Sequence, residues 1–169
     1  MRDARKLSRL CALLTLIVLP GCQLTFREPR LEPLNTNRFY EAEIGPTCDA
    51  LAEMANELGL PVESDRREDN ACLIETGFRV FSDSGDDPID SLTKSAHTGV
   101  GGFIGGRYFV TLTGRDVRDG GTRVRATVRV EGYINEEFGY QVLRSRGVIE
   151  QRIFDGVGSR LGVSAAEGR

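Results

Sequence analysis

The stretch YFVTLTGRDVRDGGTRVRATVRV, residues 108–130, decides the fold. Before the turn, Tyr108, Val110, Leu112 and Gly114 alternate with Phe109, Thr111, Thr113 and Arg115. After it, Val124, Ala126, Val128 and Val130 alternate with Arg123, Arg125, Thr127 and Arg129. A period of two is that of a strand with one buried face. Asp119-Gly120-Gly121 marks a tight turn between the runs, so the two strands form an antiparallel hairpin. Centring the turn on its glycines sets Val110 opposite Val130 and Leu112 opposite Val128 on the apolar face. The polar face then pairs Thr111 with Arg129, Thr113 with Thr127 and Arg115 with Arg125. Arg115, Arg123, Arg125 and Arg129 make a basic patch suited to an anionic partner such as lipid phosphates, glycan carboxylates or an acidic protein. The alternative for that patch is a solubilising surface.

Upstream, Cys72, Ile74, Thr76, Phe78 and Val80 share one side of a second alternating run, opposite Leu73, Glu75, Gly77 and Arg79. This predicts a single strand over 71–81. Residues 65–70 read as a charged turn, 60–64 as a short edge strand and 39–44 as a short first strand. Cys48, Leu51, Ala52, Ala55 and Leu58 recur at helical spacing. Gly45-Pro46-Thr47 opens that helix and Gly59 closes it. A second helical stripe, Val148, Ile149, Ile153, Val157 and Leu161, ends at Gly162, although Gly156 and Gly158 weaken it. The sum is an α+β fold: a two-layer domain, with an antiparallel sheet of three to five strands and two helices packed on one face. Cys48 lies on the apolar face of its helix and Cys72 on the inner face of its strand. Those faces pack together, which predicts a disulfide between them.

The chain begins with Arg2, Arg5, Lys6 and Arg9 against the single acid Asp3, followed by an apolar run over 10–19. A basic segment leading into roughly 7–15 apolar residues is the pattern of a secretory signal, and such a helix is too short to span a bilayer. The run ends in Leu19-Pro20-Gly21-Cys22. This resembles the lipobox of bacterial lipoproteins, with Pro20 departing from the usual small residue. The resemblance implies cleavage before Cys22 and attachment of diacylglycerol and palmitate there, which together anchor a protein stably. Gln23, rather than aspartate, follows the cysteine, and by the same resemblance implies the outer membrane, with the domain facing the periplasm. Residues 1–21 are then the signal peptide, 22–38 a flexible tether rich in proline and asparagine, 39–162 one domain and 163–169 a disordered tail. Loss of the signal takes the chain from 22 basic and 25 acidic residues to 18 and 24, a net charge of about −6. That balance argues against nucleic acid as a partner. Cys11 leaves with the signal, so Cys48 and Cys72 remain as a pair in an oxidising compartment.

The helix containing Cys48, the charged turn and the strand after it resemble the helix-grip repeats of the BamC-type outer-membrane lipoproteins. The resemblance implies a scaffold accessory to outer-membrane assembly, with an envelope protein, or an anionic glycan or lipid, as partner. Little in the sequence points to catalysis. Gly99, Gly101, Gly102, Gly105 and Gly106 lack the spacing of a phosphate loop. Asp83, Asp86, Asp87 and Asp90 lack that of a calcium loop, and His97 is the sole histidine. No metal, cofactor or catalytic residue is therefore expected. A non-enzymatic binding module is the first expectation. The alternative is a lipid carrier in which the glycine-rich stretch gates a helix–sheet cavity lined by Phe78, Leu112, Val128 and Ile153.

Overall fold

The computed structural model describes residues 34–82, 92–93, 103–117, 120–163 and 166–167. The signal peptide, Cys22, most of the tether, the aspartates at 83–90, His97, the glycines at 99–102 and Asp119 lie outside the described residues. In chain order the elements are β1 (Asn37–Tyr40), α1 (Ile44–Glu57), β2 (Val62–Glu68), β3 (Ala71–Thr76) and β4 (Arg79–Ser82). There follow β5 (Gly105–Asp116), β6 (Thr122–Tyr133), β7 (Tyr140–Leu143), α2 (Val148–Leu161) and β8 (Ala166–Glu167). The class is α+β, and every strand pairing is antiparallel. Among the described residues the sheet has eight strands where the sequence predicts three to five. Its order is β2-β3-β5-β6-β1-β8, with β4 also beside β5 and β7 also beside β6.

The long hairpin β5–β6 is the spine. It pairs over its whole length, from Gly105 opposite Tyr133 to Asp116 opposite Thr122. The register differs by two residues from the expected one: Val110 faces Val128, Leu112 faces Ala126, Thr113 faces Arg125 and Arg115 faces Arg123. A shift of two keeps every side chain on its face. It arises because both glycines stand on the β6 side of the turn, where the Val117 N–H donates to the Gly121 carbonyl at 2.9 Å and the Gly120 N–H to the Val117 carbonyl at 2.9 Å.

The predicted single strand over 71–81 is two strands separated by a bulge. Glu75 faces Thr111 while Arg79 faces Tyr108, so four steps along this edge oppose three along β5. One extra residue reverses the faces beyond it. Ile74 is therefore buried, whereas Phe78 and Val80 turn outward and Phe81 turns in. Thr76 fills the interrupted ladder: its hydroxyl accepts the Val110 N–H at 2.9 Å and donates to the Val110 carbonyl at 3.2 Å. The expected charged turn over 65–70 is mostly strand. Only Asp69 and Asn70 make the turn, and Arg67 pairs with Asp65 at 2.9 Å and Asp49 at 2.5 Å along an edge whose charges disfavour further pairing. β7 is too short for its alternation to be read. Residues 166–167, expected in the tail, pair with β1.

Both helices cover one face of the sheet. Leu51, Met54 and Ala55 of α1 and Ile149, Ile153, Phe154 and Val157 of α2 pack on Tyr108, Val110, Leu112, Val124 and Ala126. Tyr40, fully buried, donates its hydroxyl to the Phe154 carbonyl at 2.7 Å and so ties β1 to α2. Cys48 of α1 and Cys72 of β3 are bridged, with Cα atoms 6.2 Å apart. Gly114 lies directly beneath the bridge, where a Cβ would stand 3.0 Å from the Cys72 sulfur. A 14-residue helix is about 21 Å long and a 12-residue strand about 40 Å, so the helices leave one end of the hairpin uncovered. There Phe81 lies over Gly106 and Phe103 over Gly132, two glycines that face each other across the hairpin. The core lies wholly within the compact unit Leu34–Arg169.

Glu150, in the first turn of α2, is 2% exposed. It accepts the Ser145 hydroxyl at 2.9 Å, and Ser145 in turn accepts the Gly147 N–H at 3.0 Å. Burial pushes its carboxyl above the ordinary value of 4.5, outweighing these bonds. The protonated form suits the fold, so this stability is fully present below pH 4.5 and is lost as pH rises through the raised pKa. Glu150→Gln is expected to raise the melting temperature at neutral pH and to leave it nearly unchanged at pH 4. Thermal melts across that range check this.

Candidate binding face

The helices pack on one face of the sheet, and among the described residues neither helix covers the other face. On β5 and β6 the open face carries Arg107, Phe109, Thr111, Thr113 and Arg115, then Arg123, Arg125, Thr127, Arg129, Glu131 and Tyr133. These divide into two groups at opposite ends of the hairpin.

At the turn end, Arg115 faces Arg123, and Arg125 stands between Thr113 of β5 and Asn37 of β1. With Arg66 and Glu68 from β2 these residues line an open groove. Arg66 is held by Glu75 at 2.8 Å. The expected quartet is thus a trio. Arg129 lies further along β6, opposite Phe109, with its guanidinium 2.8 Å from Glu131 and 5.4 Å from the centre of the Phe109 ring.

At the far end, Glu131 is 5% exposed and bridges two arginines, accepting from Arg107 Nε at 2.7 Å as well as from Arg129. Arg107 lies against two rings, 4.1 Å from the centre of Tyr140 and 5.3 Å from that of Phe78. Tyr140 also packs on Tyr133, with ring centres 5.1 Å apart. Val80, Arg107, Glu131 and Val142 form one row across four strands. Around this ionic centre the protein exposes Phe78, Val80, Tyr140 and Val142, with Ile104 and Phe138 at the same end. Val80 and Val142 are each 64% exposed. The sequence pattern does not show this cluster. It assigns Phe78 and Val80 to the buried side, because the bulge is not legible in it. Asn135, whose side chain accepts the Glu137 and Phe138 N–H groups, and Gly139 were the available signals for the turn into β7.

The four positions expected to line a ligand cavity do not converge. Leu112 and Ile153 are fully buried in the core, Val128 is partly buried, and Phe78 stands on the opposite face. Of the glycine-rich stretch, Gly105 and Gly106 belong to β5. Among the described residues, no three His, Cys, Asp or Glu side chains converge to hold a metal ion, and no helix is long and apolar enough to cross a membrane. Compared with known proteins, the chain matches no family model, no curated protein and no solved structure.

Proposed function

We propose that the chain is a lipoprotein precursor, cleaved before Cys22 and anchored by lipid at the periplasmic side of the outer membrane. Its α+β domain then acts as a non-enzymatic binding module that braces an envelope protein, in the accessory assembly role implied by the helix-grip resemblance. The observation that carries this reading is the exposed cluster of Phe78, Val80, Tyr140 and Val142 around Arg107 and Glu131 on the uncovered sheet face. Exposed apolar and aromatic side chains grouped at one end of a sheet face mark an interaction surface, and aromatic residues with arginine are the side chains that dominate binding energy. The buried Cys48–Cys72 bridge suits an oxidising compartment. The dispersal of Phe78, Leu112, Val128 and Ile153 favours a binding module over the lipid-carrier alternative.

Crosslinking in native envelopes tests it. Wild-type protein is expected to recover a discrete envelope protein. Phe78→Ser with Val142→Ser should reduce that recovery by roughly tenfold or more, at about 1–2 kcal/mol for each lost anchor. Both side chains are exposed, so the fold should lose no more than about 0.5 kcal/mol. Equal recovery by the variant would refute this use of the face.

A further inference from the structure

The arginine trio at the other end of the same face calls for a different ligand. Arg115 and Arg123 are directly opposite across the hairpin, an arrangement that is destabilising for like charges. Arg125 follows two residues after Arg123 on the same face, which puts three guanidinium groups around one groove. Among the described residues none of the three makes a hydrogen bond or an ion pair. Among the described residues Glu68 is the one acid lining the groove, and the neighbouring Arg66 is already engaged by Glu75. Three clustered, uncompensated guanidinium groups fit phosphate oxygens, which accept their forked N–H groups.

Two further facts say where that phosphate lies. The exposed carboxylates of α1, Asp49, Glu53 and Glu57, stand on the helical layer, on the opposite side of the sheet. Those carboxylates are engaged by Arg67 and Arg160, whereas the trio on the open face has no ion-pair partner among the described residues. The chain enters the domain at Leu34, which packs beside Gly147 at the start of α2, and three residues on Asn37 of β1 faces Arg125 and lines the groove. Fourteen residues lie between Cys22 and Asn37, a reach of at most about 50 Å when fully extended.

We propose that Arg115, Arg123 and Arg125 dock the domain on the phosphate groups of anionic phospholipids in the leaflet that holds its anchor. This rests on the lipoprotein reading above. Docked so, the groove end lies at the headgroups, and the apolar cluster at the other end of the hairpin stays available to a protein partner.

The test uses the mature chain, residues 22–169, with Cys22→Ser so that no acyl chain contributes. It is sedimented with vesicles of phosphatidylcholine alone and with vesicles containing phosphatidylglycerol. Binding is expected only to the second and should weaken steeply as salt is raised. Each arginine near an anionic surface contributes about fivefold to partitioning, so Arg115→Ser, Arg123→Ser and Arg125→Ser together should cost on the order of a hundredfold. An unchanged melting curve shows that the variant is folded. Equal binding to neutral vesicles, no binding to either, or full binding by the folded triple variant would each overturn the inference. So would capture of the trio by a soluble acidic protein or glycan in place of the vesicles. The anchor is read separately, from the mass of the N-terminal peptide of protein taken from native membranes. An unmodified Cys22 there overturns the lipoprotein reading and with it the leaflet assigned to the phosphate, whereas lipidated Cys22 with no vesicle binding overturns the docking alone.

Discussion

Replacing Cys48 and Cys72 with alanine is expected to destabilise the domain by about 3 kcal/mol, a large share of the roughly 5–15 kcal/mol that holds a domain of this kind together. The bridge joins α1 to β3 across 24 residues, so its loss releases a sizeable loop in the unfolded chain. The folded state loses packing as well. Both cysteines are buried, and the space above Gly114 is shaped to their sulfur atoms. Denaturant unfolding with and without reductant measures the effect. Reductant should bring wild type most of the way down to the variant, which lacks the buried sulfur atoms as well, and leave the variant unchanged. A wild-type midpoint that does not move under reducing conditions would show that the bridge contributes nothing.

Gly106→Ala should be about as damaging, at roughly 3 kcal/mol, the upper part of the range for overpacking. The new Cβ would collide with the backbone carbonyl of Glu131 and stand 2.5 Å from the Phe81 ring. A flexible side chain can move aside, but the carbonyl belongs to the central hairpin and is held by its ladder. The damage should also reach the apolar end of the open face, because Arg107 and Glu131 are the immediate neighbours of the clash. Gly45→Ala is the matching control. It lies in α1 with nothing near its Cβ position, and should be neutral or stabilising by a few tenths of a kcal/mol to about 1 kcal/mol. Thermal melts of the two variants separate close packing at Gly106 from a general sensitivity to glycine loss.

Local patterns in the sequence carry much of this architecture. The alternation over 108–115 and 123–130 places every side chain of the hairpin on its proper face, and helical spacing with Gly59 and Gly162 brackets both helices closely. The pairing of Cys48 with Cys72 follows from the same faces. What local patterns miss depends on pairing between distant strands. The two-residue register is set by hydrogen bonds inside the turn, and the one-residue bulge after Thr76 appears only when that strand is laid beside β5. That bulge bears directly on the candidate site. It turns Phe78 and Val80 out to meet Tyr140 and Val142, which come from a four-residue strand that has no periodicity to read. The basic trio was legible because it lies on two alternating strands. Alternation alone groups Arg129 with it, whereas Glu131 and Phe109 hold that side chain at the other end of the face.

Photo-crosslinking from single positions in native membranes decides whether the domain is anchored and works through its open sheet face. A crosslinker replacing Val80, at the apolar end of the open face, is compared with one replacing the equally exposed Glu53 on the helical layer. A discrete protein adduct is expected from position 80, found in the membrane fraction, and none from position 53. Adducts from position 53 alone, or a protein found wholly in the soluble fraction, would contradict that reading.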